Sequence, residues 1–397
     1  MKITSLTQTG MGRAEDGSLV PRVLPGEEVE LTDAGPRILT PSADRVAAPC
    51  RHFKSCGGCV VQHGSDPFVS SWKRGILATA LAAQGINAEI AGVETSPPSS
   101  RRRAEFAGRR TKKGAIVGFH GWRSGDVVSV PECMVLNPKL TALLPLLERM
   151  TRLAASRTVD AAYQVTDSIT GIDLAITSPH DLSDALRAEV PGLCEGEGVA
   201  RVSWNDEPLA MFEPPAIQIG TARVVPPPGA FLQATPQGEA ALANEVEAIV
   251  AGADRVVDLF AGCGTFALRL AARSEVHAVE GDERLLAALD AGWRGVEGVR
   301  TVTTETRDLF RRPLLPDELN RFGAIVLDPP RAGADAQIHE IAGSTVETVA
   351  MVSCNPVTFA RDAKALVSAG FSIGPVTIVD QFRWSAHLEL VAAFRRS

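Results

Sequence analysis

At 397 residues and 45% hydrophobic side chains, the chain exceeds one compact core and is read as a multidomain soluble protein. No run of about 18 apolar residues offers a membrane span, and Met1-Lys2-Ile3-Thr4-Ser5 lacks the apolar stretch of a secretory signal, so the cytoplasm is the expected compartment. A net charge of −7 excludes a uniformly basic nucleic-acid binder, and seven cysteines, three of them between Cys50 and Cys59, favour reduced thiols over a disulfide framework.

Residues 1–47 carry Gly10, Gly12, Gly17, Pro25 and Gly26 among short apolar alternations such as Val29-Glu30-Leu31, the pattern of a small, turn-rich β module. Next comes Cys50-x5-Cys56-Gly57-Gly58-Cys59, where the glycine pair lets backbone fold round a compact inorganic core. A fourth ligand is needed, and Cys133 is the nearest remaining candidate. Four thiolates suit either a tetrahedral zinc or an iron–sulfur cluster, and the spacing leaves both open. Apolar residues at helical spacing predict an amphipathic helix from about Phe68 to Gln84, ended near Gly85.

From about Ala104 to Pro215 short β-like runs dominate, among them Ala115-Ile116-Val117-Gly118-Phe119 and Leu174-Ala175-Ile176-Thr177, which predicts an antiparallel, substrate-facing middle domain. At its start, Arg101 to Lys113 holds seven basic residues against the single acid Glu105, a plausible polyanion contact. Cys194 and Cys263 lack the company of other ligands and are read as packing or loop residues.

After the Pro-rich stretch Val225 to Gly229 and a helix from about Pro236 to Val250, apolar strands alternate with helices, as in a parallel sheet. The predicted strands are Arg255–Leu259, Val276–Glu280, Arg300–Thr303, Ala324–Asp328, Val349–Ser353 and a closing pair around Ile378 and Val391. Asp258 to Thr265 reads as strand, glycine turn and helix start, which lets backbone approach a nucleoside, with Glu280 placed to accept from ribose hydroxyls. Gly262-x-Gly264-x-x-Ala267 followed by Glu280 also satisfies a dinucleotide-binding fingerprint. Asp258 ahead of the glycines, and Asp328 in Asp-Pro-Pro, instead resemble class I S-adenosylmethionine-dependent methyltransferases. Cys354 ends the apolar run Val349 to Val352, where open parallel sheets place their chemistry, and is the candidate nucleophile.

In combination, the Cys50–Cys59 cluster, Phe231-Leu232-Gln233, Asp258 to Thr265, Asp328-Pro329-Pro330-Arg331, Ser353-Cys354-Asn355-Pro356 and His387-Leu388-Glu389 resemble the bacterial RNA uracil-5-methyltransferases. The likeness is to the iron–sulfur branch that modifies 23S ribosomal RNA, and it spans nearly the whole chain. It implies an α/β fold in three parts. Residues 1–47 would be a shortened TRAM-like, OB-like β module, 48–215 a β-rich iron–sulfur and RNA-binding central domain, and 216–397 a Rossmann-like class I methyltransferase domain.

The resemblance further implies S-adenosylmethionine contacts at Gln233, Phe260, Thr265, Glu280, Asp308 and Asp328. Thr265 and Asp308 stand where well-known members have asparagine. Cys354 would attack C6 of the uracil, Glu389 would act as the base, and Cys50, Cys56, Cys59 and Cys133 would hold a [4Fe-4S] cluster. The partner would be RNA, with a flipped or single-stranded uridine, and neither DNA nor a membrane is expected. A transfer-RNA methyltransferase and an iron–sulfur, nicotinamide-linked oxidoreductase are the alternative readings.

Overall fold

The computed structural model describes residues 1–33 and 35–396. Near the start, a three-stranded antiparallel sheet (Ile3–Leu6, Met11–Ala14, Leu19–Pro21) and the pair Glu28–Thr32 with Gly35–Thr40 surround a small core of Ile3, Ala14, Val20, Val23 and Val29. Glu27 is fully buried there, and its charge is met by Arg45 and by the amides of Leu24 (2.8 Å) and Ser42 (3.2 Å). Such pairing is what makes a buried carboxylate tolerable.

A second sheet has seven strands in the order Glu207–Met211, Val199–Trp204, Ile172–Thr177, Ala161–Asp167, Arg103–Arg110, Ala115–His120 and Val127–Val128. The sequence leads one to expect it to be antiparallel throughout, but Ile172–Thr177 pairs in parallel with Val199–Trp204. That pair requires a crossover, which the helix Asp184–Cys194 supplies. Cys194 is buried against this sheet's core, as expected of a packing residue.

The third sheet has eight strands, ordered Val302–Thr306, Glu275–Glu280, Arg255–Leu259, Ala324–Leu327, Thr348–Ser353, Glu389–Arg395, Ser372–Asp380 and Ile90–Thr95. The first five are parallel, as their alternation with helices predicts. Glu389–Arg395 runs against both of its neighbours, so all seven other strands point the same way. The edge strand begins at Val302 rather than Arg300, and Ile90–Thr95 joins the opposite edge although it lies far ahead of the other strands in the chain. The α/β class and the parallel sheet follow the sequence reading. No helix among the described residues is long and apolar enough to cross a membrane.

The helix Asp66–Ala83 starts at Ser65, whose hydroxyl accepts from the Phe68 amide at 3.3 Å, with Pro67 in the first turn. Its buried stripe is Val69, Trp72, Lys73, Ile76, Leu77 and Leu81. One of these is a cation. The Lys73 ammonium is fully buried 2.5 Å from Asp380, itself 0% exposed, and donates to the carbonyls of His387 (3.0 Å) and Phe382 (3.4 Å). Burial pushes the Lys73 pKa down, and Asp380 opposes that shift. From the cysteine loop, the amides of Val60 and Val61 donate to the Trp384 carbonyl at 2.8 and 3.1 Å. Two distant segments thus grip residues 382–388.

Replacing Lys73 with Met leaves Asp380 buried without its counter-charge. The expected loss is about 3–5 kcal/mol of stability in urea unfolding. A loss below about 1 kcal/mol would show that the pair holds nothing.

Candidate active site

In a sheet whose strands run one way, the carboxyl ends share one edge, and side chains just beyond them converge. Phe260 follows Leu259, Glu280 ends its strand, Asp308 follows the strand ending at Thr306, Asp328 follows Leu327 and Cys354 follows Ser353. The reversed strand brings its amino end to the same edge. Ser353 pairs with Leu390, so Glu389 begins its strand opposite Cys354.

The glycine loop is built for close approach. Gly264 has φ +97°, and a Cβ there would meet the side chains of Leu268 and Leu289 at 2.8 to 2.9 Å. Phe260 also sits in the left-handed region, at φ 63°, a costly conformation for a bulky residue that collects at functional sites. Its ring lies 5.4 Å from that of Phe310, which is exposed. Glu280 accepts from the amides of Gly262 (3.0 Å), Gly281 (2.6 Å) and Asp282 (3.2 Å), which fixes its carboxylate against the loop. Thr265, in the glycine loop, is half-buried, and Asp308 is exposed and accepts from the Phe310 amide at 3.0 Å. Cys263 is buried within the loop.

Under this loop Asp258 is fully buried, with one oxygen accepting from the Ala267 amide at 2.9 Å and the other without a partner among the described residues. Burial, and then the charge of Asp328, raise its pKa well above the usual carboxylate range. Burial likewise lifts Asp328 to about 7. Glu389 is 3% exposed and is held well above its ordinary value by burial and then by Asp328, against the pull of Arg331. The Cys354 thiol is pushed up to about 11 by burial, then by Glu389 and Asp328, with Arg331 again opposing. With no bound cation, therefore, the site favours a neutral thiol and protonated acids.

Arg331 is the cation that faces this cluster of acids. Its carbonyl accepts from the Asn355 side chain at 3.0 Å, and its guanidinium lies 3.3 Å from the His387 ring. Asn355 in turn caps the helix Pro356–Ser368 by accepting from the Val357 amide at 3.0 Å. The Asp-Pro-Pro-Arg and Ser-Cys-Asn-Pro loops are thereby tied together. Gln233, 3% exposed, accepts from the Gln381 amide at 2.6 Å, and Gln381 also accepts from the Thr235 amide. Gln381 and Lys73 escape a motif reading. The only sequence signal for Lys73 is a cation placed on the apolar stripe of a helix.

Cys50, Cys56, Cys59 and Cys133 line one cavity of about 480 Å³, which extends to Arg101, Arg103, Phe231, Arg331, Phe382 and His387. Burial raises Cys59 to about 12 and also raises Cys56 and Cys133, and mutual repulsion adds to each. The Gly58 amide donates to the Cys56 sulfur at 3.4 Å. Among the described residues, no group of three or more His, Cys, Asp or Glu side chains is positioned to hold a metal ion.

Of the basic stretch, Arg102 is buried against Glu239 and donates to the Gln233 carbonyl at 3.1 Å, and Arg109 is paired with Asp160 at 2.6 Å. Only part of it faces outward. Arg103 lies over Phe231 at 4.6 Å and Arg101 over Phe382 at 5.4 Å.

The glycine loop and strand-end acids have the layout of a class I methyltransferase. The family described as tRNA (Uracil-5-)-methyltransferase matches residues 296–396. An uncharacterized RNA methyltransferase of Rhizobium meliloti (strain 1021) is 44% identical, over 98% of this chain and 96% of its own. The 23S rRNA (uracil(1939)-C(5))-methyltransferase RlmD of Halomonas elongata is 35% identical, over 96% of this chain and 85% of its own. Among solved structures, the Pyrococcus abyssi tRNA (uracil-54, C5)-methyltransferase in complex with S-adenosyl-L-homocysteine shares the fold, with a TM-score of 0.77 at 20% identity over 99% of this chain and 98% of that one. The chain belongs to the RNA (uracil-5-)-methyltransferase family.

In protein without ligands, Cys354 should alkylate with iodoacetamide more slowly at about pH 8 than a free thiol, because its raised pKa leaves little thiolate. Asp328→Asn removes a neighbour that is negative at this pH and should speed the reaction. Peptide mass spectrometry reads both rates, and equal labelling of the two proteins would contradict the coupling of thiol and acid.

Proposed function

We propose that the protein methylates C5 of a uridine in RNA, with 23S ribosomal RNA as the substrate, Cys354 as the nucleophile and Glu389 as the base. The observation that carries this reading is the meeting of a thiol and a protonation-prone carboxylate across one strand pair, beside a nucleoside-type glycine loop. The ribosomal assignment draws on the Halomonas elongata relative and on the four cysteines.

C5 of uracil is a poor nucleophile until electron density enters the ring, so covalent catalysis is required. The Cys354 thiolate, favoured by Arg331, forms a bond to C6, and the electrons of the C5–C6 double bond pass into an enolate. S-adenosylmethionine, when bound, supplies the methyl group that C5 takes and a sulfonium charge that offsets the surrounding acids. Glu389 then removes the C5 proton, the S–C6 bond breaks, and the thiolate leaves with its electron pair. A carboxylate with a raised pKa suits a base at neutral pH.

The chain's own residues fit the cofactor. Glu280 lies beside the glycine loop, Phe260 and Phe310 offer apolar surface for a base, and Thr265, Asp308 and Asp328 supply polar groups round the cleft. The Gln233 amide nitrogen has no protein acceptor among the described residues and can donate to the uracil edge. The exposed Phe231 under Arg103, and Phe382 under Arg101, give stacking surfaces with cations for flanking nucleotides.

Cys50, Cys56, Cys59 and Cys133 would hold a [4Fe-4S] cluster. Four thiols around one shared cavity supply the four thiolates that such a core needs. The cluster would cross-link the Cys50–Cys59 loop to Cys133, and methyl transfer to an enolate needs no electron from it. A nicotinamide-linked oxidoreductase would leave Cys354 and Glu389 without work.

Glu389→Gln should trap the RNA adduct, seen as a band resistant to denaturing electrophoresis, while Cys354→Ala should form none. Release of methylated RNA by Glu389→Gln at the wild-type rate would sink the base assignment. Assaying ribosomal and transfer RNA side by side identifies the substrate.

A further inference from the structure

Two glutamine side chains are buried together at the carboxyl edge of the eight-stranded sheet. Gln381 follows Asp380, the last residue of the strand Ser372–Asp380, whose Val379 pairs with Glu389, so it arrives next to the strand start that bears the carboxylate. It is 1% exposed, and its partner Gln233 is buried as well. Gln381 has no part in the covalent chemistry, yet a primary amide is costly to bury unless its hydrogen bonds are met.

The direction of each bond in this pair is set by an atom that cannot reverse its role. The Thr235 backbone N–H can only donate, and it donates to Gln381 Oε1 at 3.2 Å. Turning the Gln381 amide over would set its NH2 group against that N–H. Oε1 therefore stays on Thr235, and Nε2 donates to Gln233 Oε1 at 2.6 Å. Gln233 in turn keeps its carbonyl inward and its own NH2 group outward. The anchor is itself held: Thr235 caps the helix Pro236–Ile249 by accepting from the Gly238 amide at 3.0 Å, and its hydroxyl lies 2.7 Å from that of Ser96. Gly238 leaves the room that Gln381 fills, since a Cβ there would lie 2.2 Å from Gln381 Cγ. Arg102 holds the backbone around Gln233 by donating to the carbonyls of Gln233 (3.1 Å) and Ala234 (2.9 Å). Gln233 Nε2 has no acceptor among the described residues and is not sealed from solvent, so it is available to a ligand at this edge.

We infer that Gln381 is a specificity-determining positioning residue, which locks the Gln233 amide with its NH2 group toward the base so that the enzyme takes uracil and rejects cytosine. The inference rests on the proposed reading in which Gln233 meets the uracil edge. Thiol attack at C6 is open to both pyrimidines, so the covalent step by itself does not choose between them. The rings differ at C4, where uracil carries a carbonyl that accepts and cytosine an amino group that donates. An outward NH2 group pairs with the first and opposes the second. An amide free to turn over would serve either ring, so a glutamine discriminates only when a neighbour fixes which end it presents.

The test uses the full-length protein and two short RNAs, identical except for uridine or cytidine at a methylated position. Selectivity is read as the inhibition constant of the cytidine RNA divided by the KM of the uridine RNA, a ratio that a general loss of activity or of folded protein does not move. Gln381→Leu removes the lock and should lower this ratio about tenfold. Gln381→Glu still accepts from the Thr235 amide but also accepts from Gln233, which turns the Gln233 carbonyl outward, and the ratio should fall further. Thermal unfolding shows which variants fold, and Gln381→Glu keeps the buried Thr235 amide paired if Gln381→Leu does not fold. Unchanged selectivity in the folded variants, or a wild-type ratio near one, overturns the inference and leaves the proposed function standing as long as wild-type protein methylates the uridine RNA. Wild-type protein that methylates neither RNA overturns the proposed function and the inference with it.

Discussion

One reversed strand decides what this sheet can do. Parallel strands deliver only residues that follow them to the carboxyl edge, so Cys354, Asp328 and Glu280 arrive there by one rule. A residue that begins a strand reaches that edge only if its strand runs backwards. Glu389–Arg395 does so between two forward strands, and the pairing of Ser353 with Leu390 sets the carboxylate of Glu389 against the thiol. A one-residue slip would turn Glu389 to the opposite face. Burial raises the pKa values of Cys354, Glu389 and Asp328, and the crowding of acids adds to the first two.

The register is supported from outside the sheet. Residues 382–388, which lead into the reversed strand, are held by Lys73 from one helix and by the amides of Val60 and Val61 from the cysteine loop. Because Lys73 and Asp380 are both buried, the hold costs desolvation that only the pair together can offset. The arrangement links the four-cysteine cavity to the strand that bears Glu389. A cluster bound there would act on the reaction through position, without an electron transfer.

Much of this was legible in the sequence because the signals are local. Apolar runs ended by acids, a glycine turn and a Cys-Asn-Pro loop each declare themselves within ten residues, and the central parallel strands lie where their patterns put them. The misses share a physical cause. Ile90–Thr95 gains its place by pairing with Ser372–Asp380, a choice that no local pattern contains. The parallel pair Ile172–Thr177 with Val199–Trp204 has the same alternation as an antiparallel one. Gln381 is polar and unremarkable in sequence, and only the fold shows it buried against Gln233. Arg102 reads as part of a basic surface, yet Glu239 draws it inside.

The central claim is that the Cys354 sulfur bonds to the pyrimidine during turnover. RNA with 5-fluorouridine at the target position tests it directly, because a C5 that bears fluorine has no proton whose loss would release the sulfur. Intact-mass and peptide analysis after incubation with S-adenosylmethionine should find a methylated fluorouridine on the Cys354 peptide. An unmodified Cys354 in enzyme that methylates ordinary uridine, or an adduct at any other cysteine, would contradict the account.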